Sequence, residues 1–236
     1  MTVFEQEQCL FIDWKKQRNY VSFTYDGIFD YDTYFKQKIR ILYVLKEADW
    51  QDYQGDFQLK DYLLSEVSPT YWKTWNNIAR WTKGILEGGD YPKKVTRADK
   101  TYWLKRIAFI ELKKEAGGSS SKTDEIAEYA QNDSDYILKQ IKLYQPDLII
   151  CCGRGNGKNA DLLYNHIFPK ESLTEWKTPL TKEKYNYFTV DLCDKNVPVI
   201  SFVHPQMRGG HINFQRKYTA IIEIKNALFP DLLTRY

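Results

Sequence analysis

The chain has 236 residues, of which 43% are hydrophobic, and its 34 lysines and arginines nearly balance its 31 acidic residues, for a net charge of +3. This length and hydrophobic fraction suit one sizeable α/β domain, and the small net charge permits a DNA or nucleotide partner without requiring one. No apolar stretch approaches membrane-spanning length and the first residues do not resemble a signal peptide, so we expect no membrane partner and a cytoplasmic protein.

Hydrophobic periodicity predicts alternating helices and strands along the chain. The run IRILYVL is short, continuous and rich in β-branched and aromatic residues, which is typical of a buried strand. The predicted elements of the first half are a surface helix over residues 3–18, a loop around Gly27 (YDGIFDYD), the first strand at 39–45, a loop at 50–55, a short helix at 59–65, and a helix over 72–86 ended by Gly88 and Gly89.

Three further apolar runs alternate with helical patterns in the second half. The predicted elements are a strand at 104–112, a loop at 117–121, one long helix over 123–144 or two helices joined at 132–134, a strand at 146–152, a helix at 159–167, an edge or hairpin strand at 185–192, a strand at 198–203 and a closing helix at 213–229. This alternation predicts a parallel sheet covered on both faces, in a single domain over residues 1–236 whose first 38 residues form a helix-and-loop extension.

Cysteine spacing gives little support for a metal centre. Cys151 and Cys152 are adjacent within an apolar strand-like run, which favours buried free thiols. Cys9 and Cys193 lie far from them, and no C-x-x-C pair exists to form a zinc or iron–sulfur site. We therefore expect neither a metal nor another cofactor.

A carboxylate and a histidine each follow a predicted buried strand. Glu47 comes just after residues 39–45, and His204 comes just after residues 198–203. Ligands of open parallel α/β sheets bind outside the carboxyl ends of the strands, so the two side chains could face one pocket despite their distance in sequence. There Glu47 would act as a general base or stabilise a cation, and His204, with its direction fixed by Pro205, would donate a hydrogen bond to a leaving group.

Each of these residues also has a structural interpretation. Glu47 could be a solvated loop carboxylate or a helix-capping partner, with Asp49 and Asp52 as competing carboxylates nearby. His204 could be a structural histidine bonded to nearby backbone. His166 lies within a predicted helix beside apolar residues, which favours a packing role.

The glycine-rich turn GRGNGK after residues 146–152 does not match a nucleotide-binding motif. A Walker motif needs four residues between its glycines and Ser or Thr after its lysine, whereas here three intervene and Asn159 follows Lys158. The dinucleotide fingerprint fails at its last glycine. What remains is a strand-to-helix turn whose amides could face an anion.

Basic and aromatic side chains gather near the predicted strand ends. If those ends share one face, the lysines and arginines form a rim suited to phosphates, and an aromatic ring near the first strand forms a stacking surface for a planar base. Solvated loop charges and ordinary packing are the alternatives. The basic residues are Lys46, Lys113, Lys114, Arg154, Lys158 and Arg208, and the aromatic residues are Trp50, Tyr53 and Phe57.

These motifs, in this order, resemble the uracil-DNA glycosylase superfamily. Residues 46–50 (KEADW) keep the Glu-Ala pair of the first motif, which reads Gly-Glu-Ala-Pro-Gly in the iron–sulfur branch, and His204-Pro205 matches the start of its closing His-Pro-Ser motif. The segment PDLIICCG looks like that family's third strand. The resemblance covers the chain from residue 39 to its end. It implies a three-layer α/β/α fold with a central four-stranded parallel sheet.

The resemblance also implies roles for individual residues in the removal of a flipped base from DNA. Glu47 would orient water and stabilise positive charge on the sugar, while His204 would hydrogen-bond the departing base. Glu111 lies where the family has an Asn that reads the base; because it cannot donate a hydrogen bond when ionised, the target would not be standard uracil. Phe57 or Tyr53 would stack on the base. Lys46 and Asp49, beside the substrate, replace the family's Gly and Pro around the acidic residue. The residues that would contact backbone phosphates are Lys113, Ser119, Ser120 and Arg208.

Two other functions remain open. The substitutions at Lys46, Asp49 and Glu111 are also what a catalytically inactive module for nucleic-acid or nucleotide recognition would carry. The modest net charge equally suits a hydrolase or transferase that acts on small molecules.

Overall fold

The computed structural model describes residues 1–50, 55–118, 121–179 and 181–232. Its strands are β1 (Thr24–Tyr25), β2 (Gly27–Ile28), β3 (Ile41–Leu45), β4 (Phe57–Gln58), β5 (Ile107–Glu111), β6 (Leu148–Cys152), β7 (Tyr187–Leu192) and β8 (Lys195–Phe202). Its α-helices are α1 (Val3–Arg18), α2 (Tyr31–Phe35), α3 (Leu59–Leu64), α4 (Lys73–Leu86), α5 (Arg97–Leu104), α6 (Thr123–Asn132), α7 (Ser134–Tyr144), α8 (Asn159–Leu162) and α9 (His211–Leu228), with short helical turns at Leu163–Ile167, Lys170–Ser172 and Pro230–Leu232.

The main sheet has six strands in the order β2-β5-β3-β6-β8-β7. The four central strands are parallel, as predicted. The expectation of a four-stranded sheet is nevertheless wrong, because an antiparallel strand is added at each edge. On one edge, β2 has only two residues, too few to show a period, and it falls in a segment predicted as a loop. On the other, β7 confirms the predicted hairpin strand, joined to β8 through Cys193 and Asp194, which both have positive φ.

Helices cover both faces of this sheet. Alternate side chains of β3 enter different cores: Leu42 and Val44 pack with α1, α6, α7 and α8, whereas Tyr43 packs with α3, α4, α5 and α9. Three of the four central parallel strands, β3, β5 and β6, are buried along their whole length, which explains why they appear as continuous apolar runs.

Most predicted helices are present, with shifted ends. The segment 123–144 forms two helices joined at Asp133, and 159–167 is α-helical only to Leu162 before it widens into a π-helical turn. The predicted strand at 104–112 begins at Ile107, because Leu104 belongs to α5. That helix was missed, although Thr96 and Asp99 form a capping box at its start.

Two further expectations concern the cysteines and the membrane. Cys151 and Cys152 are buried and unbonded, as predicted. Within the described ranges, no helix combines the length and the apolar character that crossing a membrane requires.

A buried ion pair lies beneath the carboxyl end of β5. Asp26 and Lys114 are both fully buried and contact each other. Asp26 also accepts hydrogen bonds from the Glu111 backbone N–H at 2.6 Å and from Gln140 Nε2 at 2.7 Å. Lys114 was expected on the exposed basic rim; it is instead inside the protein, because Asp26 supplies its counter-charge and its ammonium lies 4.9 Å from the Trp14 ring.

Replacing Lys114 with methionine is expected to lower the free energy of unfolding by about 3–5 kcal/mol, because it leaves a buried carboxylate without its cation. Lys15→Met is the matched control: Lys15 pairs with Asp56 at the surface, where an ion pair contributes about 0–1 kcal/mol. Urea unfolding of both variants measures the difference. Equal losses in the two variants would mean that burial does not set the strength of the Asp26–Lys114 pair.

Candidate functional site

A cleft of about 490 Å³ opens at the carboxyl ends of the parallel strands. The chain leaves β3 toward β5 on one side, whereas β6 flanks β3 on the other side, so this is a topological switch point of the sheet. Glu47, Glu111 and His204 follow or end β3, β5 and β8 and all line this cleft. The cleft is further lined by Lys46 and Asp49 and by the aromatic residues Trp50, Phe57, Trp72 and Trp75.

The Glu47 carboxylate is held in one orientation. Its side chain is 4% exposed, and Oε2 lies 3.2 Å from Lys113 Nζ. It packs directly against Gly117, where a Cβ would collide with the carboxyl group. Gly117 is itself tied to the segment after β3 by a hydrogen bond from its N–H to Ala48 O at 2.8 Å. Oε1 accepts no hydrogen bond from the part of the chain that the structure describes, so it remains able to bind water or substrate.

His204 is oriented by the backbone that follows it. The Gln206 N–H donates to His204 Nδ1 at 3.1 Å, which assigns the proton of a neutral imidazole to Nε2. Partial burial in the cleft, with a smaller effect of the nearby Lys46 ammonium, lowers the pKa of His204, although the residue keeps substantial solvent exposure. The ring is therefore neutral near pH 7 and presents an N–H donor.

Asn77, which the sequence interpretation missed, holds the turn that carries His204. Its side chain is buried in α4, and Nδ2 donates to Pro205 O at 2.7 Å. Arg80 Nη1 donates to Asn77 Oδ1 at 3.0 Å, so both ends of the amide are used. The sequence did contain a signal for this role. Asn77 lies on the apolar face of a helix, and a buried amide must find hydrogen-bond partners.

Glu111 is the least compensated carboxyl group of the cleft. It is 3% exposed, and its Oε2 has no hydrogen-bond partner within the described residues. Burial and the nearby charges of Asp26 and Glu47 raise the pKa of Glu111 well above its ordinary value, against a smaller opposing effect of Lys114. These surroundings favour the protonated form of Glu111, a carboxylic acid with one donor and one acceptor, whereas an ionised group was expected from the sequence.

Replacing Glu111 with glutamine is expected to stabilise the protein more at about pH 8 than at about pH 5. The folded protein keeps the Glu111 proton above the ordinary carboxyl pKa of 4.5, whereas the unfolded chain loses it. This group's contribution to stability is complete below that pKa and declines as pH rises toward the raised pKa. Glutamine has no such dependence. Urea unfolding at both pH values tests this, and an equal stability difference at both would contradict a raised Glu111 pKa.

Aromatic side chains form one wall of the cleft. The Trp50 and Phe57 rings are stacked, with centroids 3.8 Å apart and planes 13° from parallel. Tyr62 contacts both rings, and Trp72 extends the wall beyond it. Of these rings, Trp50, Phe57 and Trp72 line the cleft, so a planar ligand there would meet aromatic side chains.

The residues assigned to phosphate contacts differ in burial and in the partners they already have. Lys113 is buried and also contacts Glu125 at 2.5 Å, so a phosphate would have to compete with two carboxylates for it. Arg208 lies on the exposed loop after β8. Ser119, Ser120 and Tyr53, the alternative stacking residue, lie outside the described residues.

The glycine-rich turn after β6 leads into Asn159, a buried residue that links two strand ends. Gly153, Gly155 and Gly157 all adopt positive φ, and the Gly157 N–H donates to Asp161, so this amide is already used. Asn159, also missed from the sequence, is fully buried and donates to Val44 O at 3.0 Å and to Cys152 O at 2.9 Å. It thereby holds the ends of β3 and β6 at a fixed spacing below the cleft.

The sequence matches no protein-family model, and no curated protein is significantly similar to it.

Proposed function

We propose that this chain is an N-glycosidic hydrolase that removes a flipped base from DNA, as a divergent member of the uracil-DNA glycosylase superfamily. The observation that carries the proposal is that Glu47 and His204, which follow the first and last of the four parallel strands, line one cleft with an aromatic wall. Its volume of about 490 Å³ is large enough for a nucleobase with part of its sugar.

The two groups have complementary tasks in such a reaction. As the bond between C1′ and the base nitrogen breaks, positive charge develops on the sugar and negative charge on the base. The Glu47 carboxylate stabilises the sugar cation, and its Oε1 accepts a proton from the attacking water. The His204 Nε2–H donates a hydrogen bond to the base anion, an effect that contributes about 3–4 kcal/mol for one well-placed donor.

The chemistry of Glu111 supports a target that is not restricted to standard uracil. In its neutral form it offers an O–H donor beside a carbonyl acceptor, and the proton can reside on either oxygen. Such a group pairs with the adjacent N–H and C=O of a uracil-like edge, and equally with the adjacent ring nitrogen and amino group of a cytosine-like edge. We therefore propose a pyrimidine-like modified or damaged base as the substrate.

The aromatic wall supports the proposal that the target base leaves the double-helical stack and enters the cleft. Extruding a base costs a few kcal/mol, and stacking on an aromatic side chain recovers about 1–3 kcal/mol per base. Trp72 and Trp75 line the cleft beside the stacked Trp50 and Phe57 rings, so a flipped base would exchange one stacking environment for another.

The experiment that tests this function incubates the protein with single- and double-stranded oligonucleotides that each contain one deaminated, oxidised or alkylated base. Free base is measured by mass spectrometry, and strand scission after alkali reports abasic sites. We expect base release from at least one modified pyrimidine, in fractions that follow the protein through size-exclusion chromatography. Release from none of the oligonucleotides would reject the proposal.

One observation favours a second candidate, the non-catalytic binding module. The ion pair with Lys113 already occupies one oxygen of Glu47, as a purely structural carboxylate would require. This function predicts salt-dependent binding of labelled DNA without product over long incubation. Turnover of free nucleosides, but not of DNA, would instead identify a small-molecule hydrolase.

A further inference from the structure

Lys46 is a functional group in the cleft that the proposed hydrolysis leaves unused. It directly precedes Glu47, lines the same cavity and is partly buried. Its ammonium makes no hydrogen bond or ion pair with any of the residues that the structure describes. The other lysines at the strand ends differ, because Lys113 pairs with carboxylates and Lys158 donates to Thr123 Oγ1 at 2.8 Å.

The course of the side chain places the Lys46 amine near His204. Its Cε is 4.0 Å from the position that a Cβ on Gly153 would occupy, so the stem runs across the end of β6. Because β6 lies between β3 and β8, this direction leads from the end of β3 toward His204 at the end of β8. Lys46 is close enough to His204 to lower that ring's pKa.

The surroundings shift the Lys46 equilibrium toward the uncharged amine. Burial, and then the like charge of Lys158 in the turn after β6, lower the pKa of Lys46, and the adjacent Glu47 opposes this shift. His204, which follows β8, supplies no negative charge that would stabilise the Lys46 ammonium. An uncharged lysine amine in a partly dehydrated cleft is the reactive form in lysines that add to carbonyl carbons.

We propose that Lys46 is an amine nucleophile that forms a Schiff base with the C1′ aldehyde of an abasic deoxyribose, which gives this cleft a lyase activity on abasic DNA. The inference rests on the proposed function, since base release is the reaction that creates this aldehyde beside Lys46.

The steps balance without an oxidant or a reductant. The Lys46 Nζ lone pair adds to C1′ of the ring-opened sugar, the carbonyl oxygen takes up protons, and water leaves to give a C1′=Nζ iminium ion. A carboxylate, for which Glu47 is placed, removes a proton from C2′. The electron pair of that bond forms C2′=C3′, and the C3′–O bond breaks to release the 3′ phosphate. Water then hydrolyses the imine and restores the amine.

The test uses the full-length chain and an oligonucleotide with a preformed abasic site, so it does not depend on base release. Borohydride reduces any imine to a stable amine and thereby links protein to DNA. We expect a covalent adduct with the wild-type chain, and its loss to background in Lys46→Arg. Arginine is a cation that is compatible with DNA binding, but it is not a nucleophile at neutral pH. Equal DNA affinity of the two proteins shows that Lys46→Arg folds and binds.

Two controls assign the adduct to one nitrogen. Lys139→Met removes an exposed lysine of α7 and should leave the adduct yield unchanged. Peptide mapping of the wild-type adduct should place the DNA on Lys46 rather than on the N-terminal amine or on Lys73, the other lysine among the described residues that line the cleft.

The outcomes separate this inference from the proposed function. No wild-type adduct, an undiminished adduct in Lys46→Arg, or an adduct mapped to another amine would overturn the role of Lys46, whether or not base is released. An adduct on Lys46 in a chain that releases no base from any oligonucleotide would overturn the hydrolase proposal and leave the Schiff-base chemistry standing.

Discussion

Replacing Glu47 with glutamine is expected to slow base release by about 10²–10⁴-fold, the usual contribution of a positioned acid or base. Glutamine keeps the shape that packs against Gly117 but carries no charge. It therefore neither stabilises the sugar cation nor accepts a proton from water. Single-turnover rates measured with saturating protein report the chemical step directly.

The control for Glu47→Gln is Glu125→Gln. Both carboxylates contact Lys113, but Glu125 does not line the cleft within the described part of the chain. If Glu47 acted only by balancing the Lys113 charge, the two variants would lose similar activity. We expect Glu125→Gln to retain nearly the full rate, and comparable losses in both would assign Glu47 a purely structural role.

Replacing His204 with alanine is expected to slow base release by about 10²–10³-fold, because it removes the imidazole donor that the described part of the cleft offers to the departing base. The loss should fall on kcat rather than on DNA affinity, since the negative charge on the base develops only in the transition state. His204 has a lowered pKa, so we expect wild-type activity to persist at mildly acidic pH, until the ring is protonated.

His211→Ala is the matched control for His204→Ala. His211 is exposed at the first turn of α9, on the same loop-to-helix segment, but does not line the cleft. It should release base at the wild-type rate. A His204→Ala variant that is equally fast would remove the imidazole from the mechanism.

The arrangement of charges around β5 explains why Glu111 differs from its neighbours. Side chains alternate along an extended segment, so the consecutive residues Lys113 and Lys114 point to opposite sides. Lys113 reaches Glu47, and Lys114 reaches Asp26. Neither lysine hydrogen-bonds the Glu111 carboxyl, and its burial near Asp26 and Glu47 raises its pKa.

The location of the cleft could be predicted from the sequence because it follows from local patterns. Buried parallel strands are visible as continuous apolar runs, and a general rule places ligands at their carboxyl ends. These two facts were enough to expect Glu47 and His204 in one pocket, and both line it. The edge strand β2 could not be found in this way, since two residues show no period.

The properties of the side chains depend on contacts that no local pattern records. Asp26 and Lys114 are 88 positions apart, and Asn77 is 128 positions from the Pro205 carbonyl that it holds. The raised pKa of Glu111 depends on burial and on Asp26, a residue in a segment predicted only as a loop. Only the tertiary structure brings these groups together.

The central claim is that Glu47 and His204 act on the same glycosidic bond in this cleft. The most direct test measures free base from a modified-pyrimidine oligonucleotide with the wild-type chain and with the double variant Glu47→Gln/His204→Ala, at matched thermal stability and DNA affinity. We predict release by the wild type and none above buffer by the double variant. Base release by the double variant at the wild-type rate would contradict the claim.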